Sequence, residues 1–133
     1  MVYGCCLLLG ILGIQAGSSP LRAQTAFRVQ TLAGSNNAGD GGQASQAVLQ
    51  QAEGIAVGAD GTVYVADAAD HRIRAITPLG AISTIAGDGS AGSSGDGGLA
   101  TNARLNSPYG LALDRGGSLY VAELGNALIR LMS

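Results

Sequence analysis

Lysine and tryptophan are absent from the chain, and histidine and phenylalanine occur once each, as His71 and Phe27. All seven basic residues are arginine, set against nine acids, for a formal charge of −2. That balance is a poor electrostatic match to nucleic acid or to an anionic bilayer. Charged residues make up only 12% while apolar residues make up 47%, which excludes a charge-stabilised disordered chain. With one histidine and no Gly-x-Ser-x-Gly motif, no catalytic triad and no three-ligand zinc site forms within one chain. Helical periodicity is also missing: only residues 45–49 and 102–105 can hold a helical turn, so a helical solenoid is out. Glycine is the residue in excess, at 22 positions, yet without the Gly-X-Y period of collagen.

The two cysteines, Cys5 and Cys6, open an apolar run over residues 5–14 (CCLLLGILGI). As a helix this run rises about 15 Å, roughly half the hydrocarbon core of a bilayer, so it cannot span one. It fits the apolar region of a secretory signal, with a small-residue cleavage zone near Ala23, although Met1 to Gly4 carries no basic side chain. Residues 1–23 are expected to be a signal peptide and residues 24–133 the mature chain, secreted or periplasmic. Cleavage removes both thiols, and with them any disulfide, Cys-ligated zinc or cysteine nucleophile. A lipoprotein would need its cysteine at the end of the apolar run rather than at its start.

The chain repeats itself at 56 residues. The stretch from Gly39, GDGGQASQAVLQQAEGIAVGADGTVYVADAADHRIRAIT, aligns without gaps to that from Gly95, GDGGLATNARLNSPYGLALDRGGSLYVAELGNALIRLMS. Asp40 thus matches Asp96, Gly54 matches Gly110, Tyr64 matches Tyr120, and Arg74 matches Arg130. TLAG (31–34) resembles TIAG (84–87) at a slightly shorter offset. Within each unit, short runs alternate with a period of two: TVYVA (62–66) and SLYVA (118–122), GIAV and GLAL, RIRAI and LIRLM. ADGT and RGGS between them are tight-hairpin signals, and AISTIA (81–86) closes the first unit. Both faces of these strands are apolar or small, so each sheet needs cover on both sides. Four-stranded antiparallel sheets stacked on one another supply it, and the repeat length is that of a β-propeller blade.

The stretch GDGGLATNARL followed by PYGLALDRGGSLYVAELGNALIR resembles the NHL repeat, in the bacterial secreted form with GDGG linkers between blades. GIAVGADGTVYVADAADHRIRAI is similar to the same repeat, with Ala52 in place of Pro108 and Asp70 in place of Asn126. The resemblance covers about residues 27–133. It implies an all-β fold of propeller blades with four antiparallel strands, with repeat units at about 39–87 and 95–133 and a leading strand at about 27–33. It also implies a non-catalytic scaffold that binds protein or glycan, since NHL propellers commonly serve as binding platforms. A remnant of a propeller hydrolase or lyase whose catalytic blades are missing is the alternative.

Eight strands make two blades, and two blades cannot close a ring. Three readings follow: a fragment of a longer propeller, a homotrimer completing a six-bladed ring, or an open two-sheet stack. No cofactor is expected, nor a nucleic-acid partner, nor membrane attachment after signal cleavage. The glycine-rich loop 87–98 places Asp88 and Asp96 where a calcium loop would put oxygen ligands, but the recurrence of GDGG at Asp40 favours a linker with Asx turns. Asp67 and Glu123, with Asp70 and Asn126 three residues on, recur at strand ends and are expected to cap turns; Arg74 and Arg130 are expected to pair with these acids. Glu53 and Tyr109 share one repeat position but differ in type while their neighbours repeat, which marks them as candidate ligand contacts.

Overall fold

A computed structural model describes residues 30–33 and 39–133. The expected signal peptide lies outside the described residues, as does the first half of the expected leading strand; residues 30–33 are in no strand. The rest of the chain folds into two antiparallel sheets. The first has four strands in sequential order: β1 (Ala52–Val57), β2 (Val63–Asp67), β3 (Arg72–Ile76) and β4 (Ile82–Ala86). The second has three: β5 (Pro108–Leu113), β6 (Leu119–Glu123) and β7 (Leu128–Met132). These are the blades that the alternating runs predicted, and the architecture is all-β and propeller-like.

The local chemistry explains the meander. In the β1–β2 hairpin, the Gly58 N–H donates to the Thr62 carbonyl at 2.8 Å, and Gly61 turns the chain at φ +86°. In the β5–β6 hairpin, the Asp114 N–H donates to the Ser118 carbonyl at 3.0 Å, and Gly117 turns at φ +88°. Such positive φ values carry no Cβ penalty only for glycine. Both blades also shift register at the same repeat position, between Ala52 and Ile55 and between Pro108 and Gly110.

Each GDGG linker lies against a blade. In the first, the Gly41 N–H donates to the Ile82 carbonyl and the Ala44 N–H to the Gly80 carbonyl, and Ala44 and Ala47 join Val65, Ile76 and Ile82 in a buried cluster. The second linker is sandwiched between the blades. Its Leu105 is buried with Leu119 and Val121 of the second sheet and with Ala66, Ile73 and Ala86 of the first. The inner strands of the first sheet are therefore covered on both faces, by the first linker on one and by the second linker and second sheet on the other, while Ile55 and Val57 of β1 stay exposed. Each linker carries a single 3-10 turn, Ala44–Gln46 and Ala100–Asn102, which sits slightly upstream of the expected 45–49 and 102–105. Ala47 and Ala103, at ψ 150°, have already left helical space; both are buried, Ala47 within the cluster on the first sheet.

Candidate functional site

The polar positions that repeat are nearly all consumed in holding linkers to blades. Asp67, fully buried at the end of β2, accepts the Gln50 N–H at 3.1 Å and the Gln51 N–H at 2.9 Å. Glu123, buried at the end of β6, accepts the Asn106 N–H at 3.0 Å, the Asn126 side-chain amide at 2.5 Å and the Arg130 guanidinium at 3.3 Å. The structure thus gives these carboxylates a different task from the expected turn capping. Each receives the last residues of the incoming linker, whose N–H groups would otherwise be unpaired. Only Glu123 also ties down its own turn, through Asn126. Asp70 pairs with Arg72 at 2.6 Å.

The arginines differ in the same way. Arg130 meets Glu123 as expected and also Asp96 at 2.5 Å. Arg74 instead pairs with Asp40 at 2.6 Å. The aspartate of each GDGG motif is therefore the counter-ion of the arginine in the third strand of the same unit. Burial works against ionisation of the Asp40 carboxyl, but hydrogen bonds from Thr84 and the Arg74 charge outweigh it and hold the carboxyl below its ordinary range.

In the loop 87–98, Asp88 forms an Asx turn by accepting the Ser90 N–H at 2.7 Å, and it lies 3.4 Å from the Arg104 guanidinium. The Ser90 N–H holds its carboxyl below the usual range. Asp88 and Asp96 thus face different arginines. Among the described residues no group of three His, Cys, Asp or Glu side chains is placed to share a metal ion.

One tie between the blades does not repeat: His71, at φ 53° in the β2–β3 turn, accepts the Ser107 N–H on Nδ1 at 3.2 Å. The Asn126 amide ties the second blade to its own linker, donating to the Gly92 carbonyl at 2.8 Å. Sequence reasoning set His71 aside as a metal or triad residue and missed its bond to Ser107, for which the sequence holds no signal: the repeat partner of His71 is Ala127.

Two of the open surfaces among the described residues bear on ligand contact. A cleft of about 440 Å³ runs between the hairpin loops, lined by Tyr64, Leu113, Asp60, Asp114 and Arg115 among others. Its two carboxylates are turned onto their own hairpins, each held below the ordinary range by a backbone N–H, that of Thr62 for Asp60 and that of Ser118 for Asp114. Neither is poised to donate a proton near neutrality. At the opposite ends of β1 and β5, Glu53 and Tyr109 are both exposed, Tyr109 at 53%. The strands meet there, with the Tyr109 carbonyl against Gly54. The Gln51 side-chain amide donates to Glu53 at 2.5 Å.

Residues 28–94, half of the chain, match the family model described as the teneurin NHL domain. Human teneurin-4 is 40% identical over 100 residues, a match covering 65% of this chain and 4% of teneurin-4. A structural-genomics protein from Bacteroides thetaiotaomicron superposes with a TM-score of 0.67 at 28% identity, covering 74% of this chain and 26% of the other. An auxiliary nutrient binding protein from the same organism gives a TM-score of 0.62 at 25% identity, covering 77% and 28%. The chain thus spans a small part of the relatives and about a quarter of the structures it matches. From the repeated strands, the linker geometry and these matches together, the chain belongs to the NHL-repeat family, in the branch defined by the teneurin NHL domain.

Proposed function

We propose that the chain is a non-catalytic binding module, working outside the cytoplasm in the secreted or periplasmic space, that takes a protein or glycan on the rim formed by Glu53 and Tyr109. The observation that carries this reading is a contrast within the repeat. The recurring acids Asp40, Asp96, Asp67 and Glu123 are bonded to arginines or to backbone N–H groups of their own blade, whereas residues 53 and 109 vary and stand open to solvent. An exposed tyrosine offers a large rigid face with a polar tip, suited to stacking on a sugar or a side chain. The likeness to a nutrient binding protein is consistent with a binding role.

The test is an array of glycans and polysaccharides probed with the chain and with the double variant Glu53→Ala, Tyr109→Ala. The expected result is a ligand whose affinity falls at least about tenfold in the double variant, as for a contact of hot-spot size. Equal binding by the two proteins would place recognition elsewhere.

A further inference from the structure

We propose that the two open ends of the blade pair bind one another, so that the outer face of β5–β7 in one copy packs against the β1 side of a second copy. The argument starts from repeat-equivalent residues with opposite environments. Ile73 of β3 pairs in register with Ala66 of β2 and Ala86 of β4 and is completely buried, its outer face covered by the second linker and the second sheet. Ile129 of β7 pairs in the same register with Ala122 but lies on the edge strand of a three-stranded sheet, and with nothing over its face among the described residues it is 75% exposed. Tyr120 and Leu131, cross-strand partners on that same face, are exposed as well.

The other end shows the reverse relation. Leu111 and Leu113 of β5 pack into the cluster between the blades, whereas their counterparts Ile55 and Val57 of β1 are 63% and 60% exposed. The chain therefore carries both halves of its own interblade contact a second time, at opposite ends and without partners among the described residues. Residue types match at each step: Ala44, Leu49, Val63 and Val65 stand where Ala100, Leu105, Leu119 and Val121 make the internal interface. The occupant is thus a second copy, because its first unit presents the surface that already covers Ile73. Apolar surface left open on this scale is unusual for a free monomer.

Backbone geometry makes the same match. A Cβ on Gly54 would collide with the Tyr109 carbonyl and lie 3.2 Å from the Gly110 Cα, so only glycine lets the two strands approach. Gly110 is the repeat equivalent of Gly54, yet a Cβ there meets only the Ala122 Cβ, at 3.4 Å, an ordinary contact. In the proposed contact the second copy's Glu53 carbonyl lies against Gly110 as that of Tyr109 lies against Gly54. The contact is head-to-tail, which closes into a ring when the rotation permits; three copies would give six blades.

Light scattering after gel filtration of the 133-residue chain, with circular dichroism to report folding, tests this. The expected result is a β-rich assembly for the parent chain. Gly110→Ala keeps the β spectrum and runs at the monomer mass of 13.1 kDa, or needs at least about tenfold higher concentration to associate. Ile129→Asp, a change at an exposed position, behaves the same way and decides the matter if Gly110→Ala does not fold. A parent chain that is monomeric at about 100 μM, far above the concentration at which a specific interface of this kind forms, overturns the proposal. So does a parent chain that is unfolded, or assembly that persists unchanged in the folded variants.

Discussion

The carbonyl of Tyr109 occupies the space that a side chain on Gly54 would need. This approach brings β1 and β5 together and sets the spacing of the two blades. Gly54→Ala should force the strands apart and cost about 1–3 kcal/mol, the usual range for an inserted methyl that the surroundings cannot accommodate. Urea denaturation followed by circular dichroism measures it. A midpoint equal to that of the parent chain would show that the blades can slide without loss.

Asp67 is a buried carboxylate whose partners are backbone N–H groups rather than a counter-ion. Asp67→Ala strands the Gln50 and Gln51 donors at the point where the linker enters β1. The expected loss is about 2 kcal/mol; Asp67→Asn, which keeps one acceptor oxygen, should lose about half of that. If the two variants were equally stable, the carboxylate would be packing filler rather than an anchor.

The strands were legible because period-two alternation and a 56-residue repeat reinforce each other, and because Gly61 and Gly117 sit where hairpins need positive φ. The partners of the repeated charges were only half legible. Asp40 to Arg74 and Asp96 to Arg130 share a separation of 34 residues, a signal present in the sequence, but spatial pairing across a folded-back linker leaves no local pattern. The contrast between Ile73 and Ile129 could not be read at all. Identical residues at the same repeat position differ in their neighbours, Ile73 being flanked by β4 and covered by the second unit while Ile129 lies on the edge strand β7, and burial is a property of the neighbour. The tie from His71 to Ser107 escaped for a related reason: it joins two blades at positions where the repeat itself breaks.

Four aspartates, Asp40, Asp60, Asp88 and Asp114, have carboxyls held below their ordinary range in the folded chain. A carboxylate depressed on folding contributes stability that is complete above its unfolded-state value, roughly 3.9, and is lost as pH falls through the lower folded-state value. The contribution of these four carboxylates to the melting temperature should therefore be constant from about pH 7 to about pH 5 and decline below about pH 4. Asp60→Asn with Asp114→Asn should shallow the acid decline, since both hairpin carboxylates then stop titrating. Thermal melts at stepped pH give the answer, and an unchanged slope in the double variant would assign acid sensitivity to other groups.

Arg74 is 4% exposed, with its Nε lacking a hydrogen-bond partner, while the Asp40 side chain that neutralises it is half exposed. The two halves of this pair should therefore respond unequally to removal. Asp40→Ala leaves a cation inside the blade without its counter-ion, at an expected cost of about 2 kcal/mol. Arg74→Met removes the buried charge and the orphaned Nε together, fills similar volume, and leaves an aspartate that water can solvate; its effect should stay within about 1 kcal/mol. The double variant should resemble Arg74→Met alone, because once the arginine is gone Asp40 has no buried partner to satisfy. Denaturation midpoints of the three variants complete this cycle. A larger loss for Arg74→Met than for Asp40→Ala would mean that the guanidinium, rather than the GDGG aspartate, is what keeps the linker on its blade.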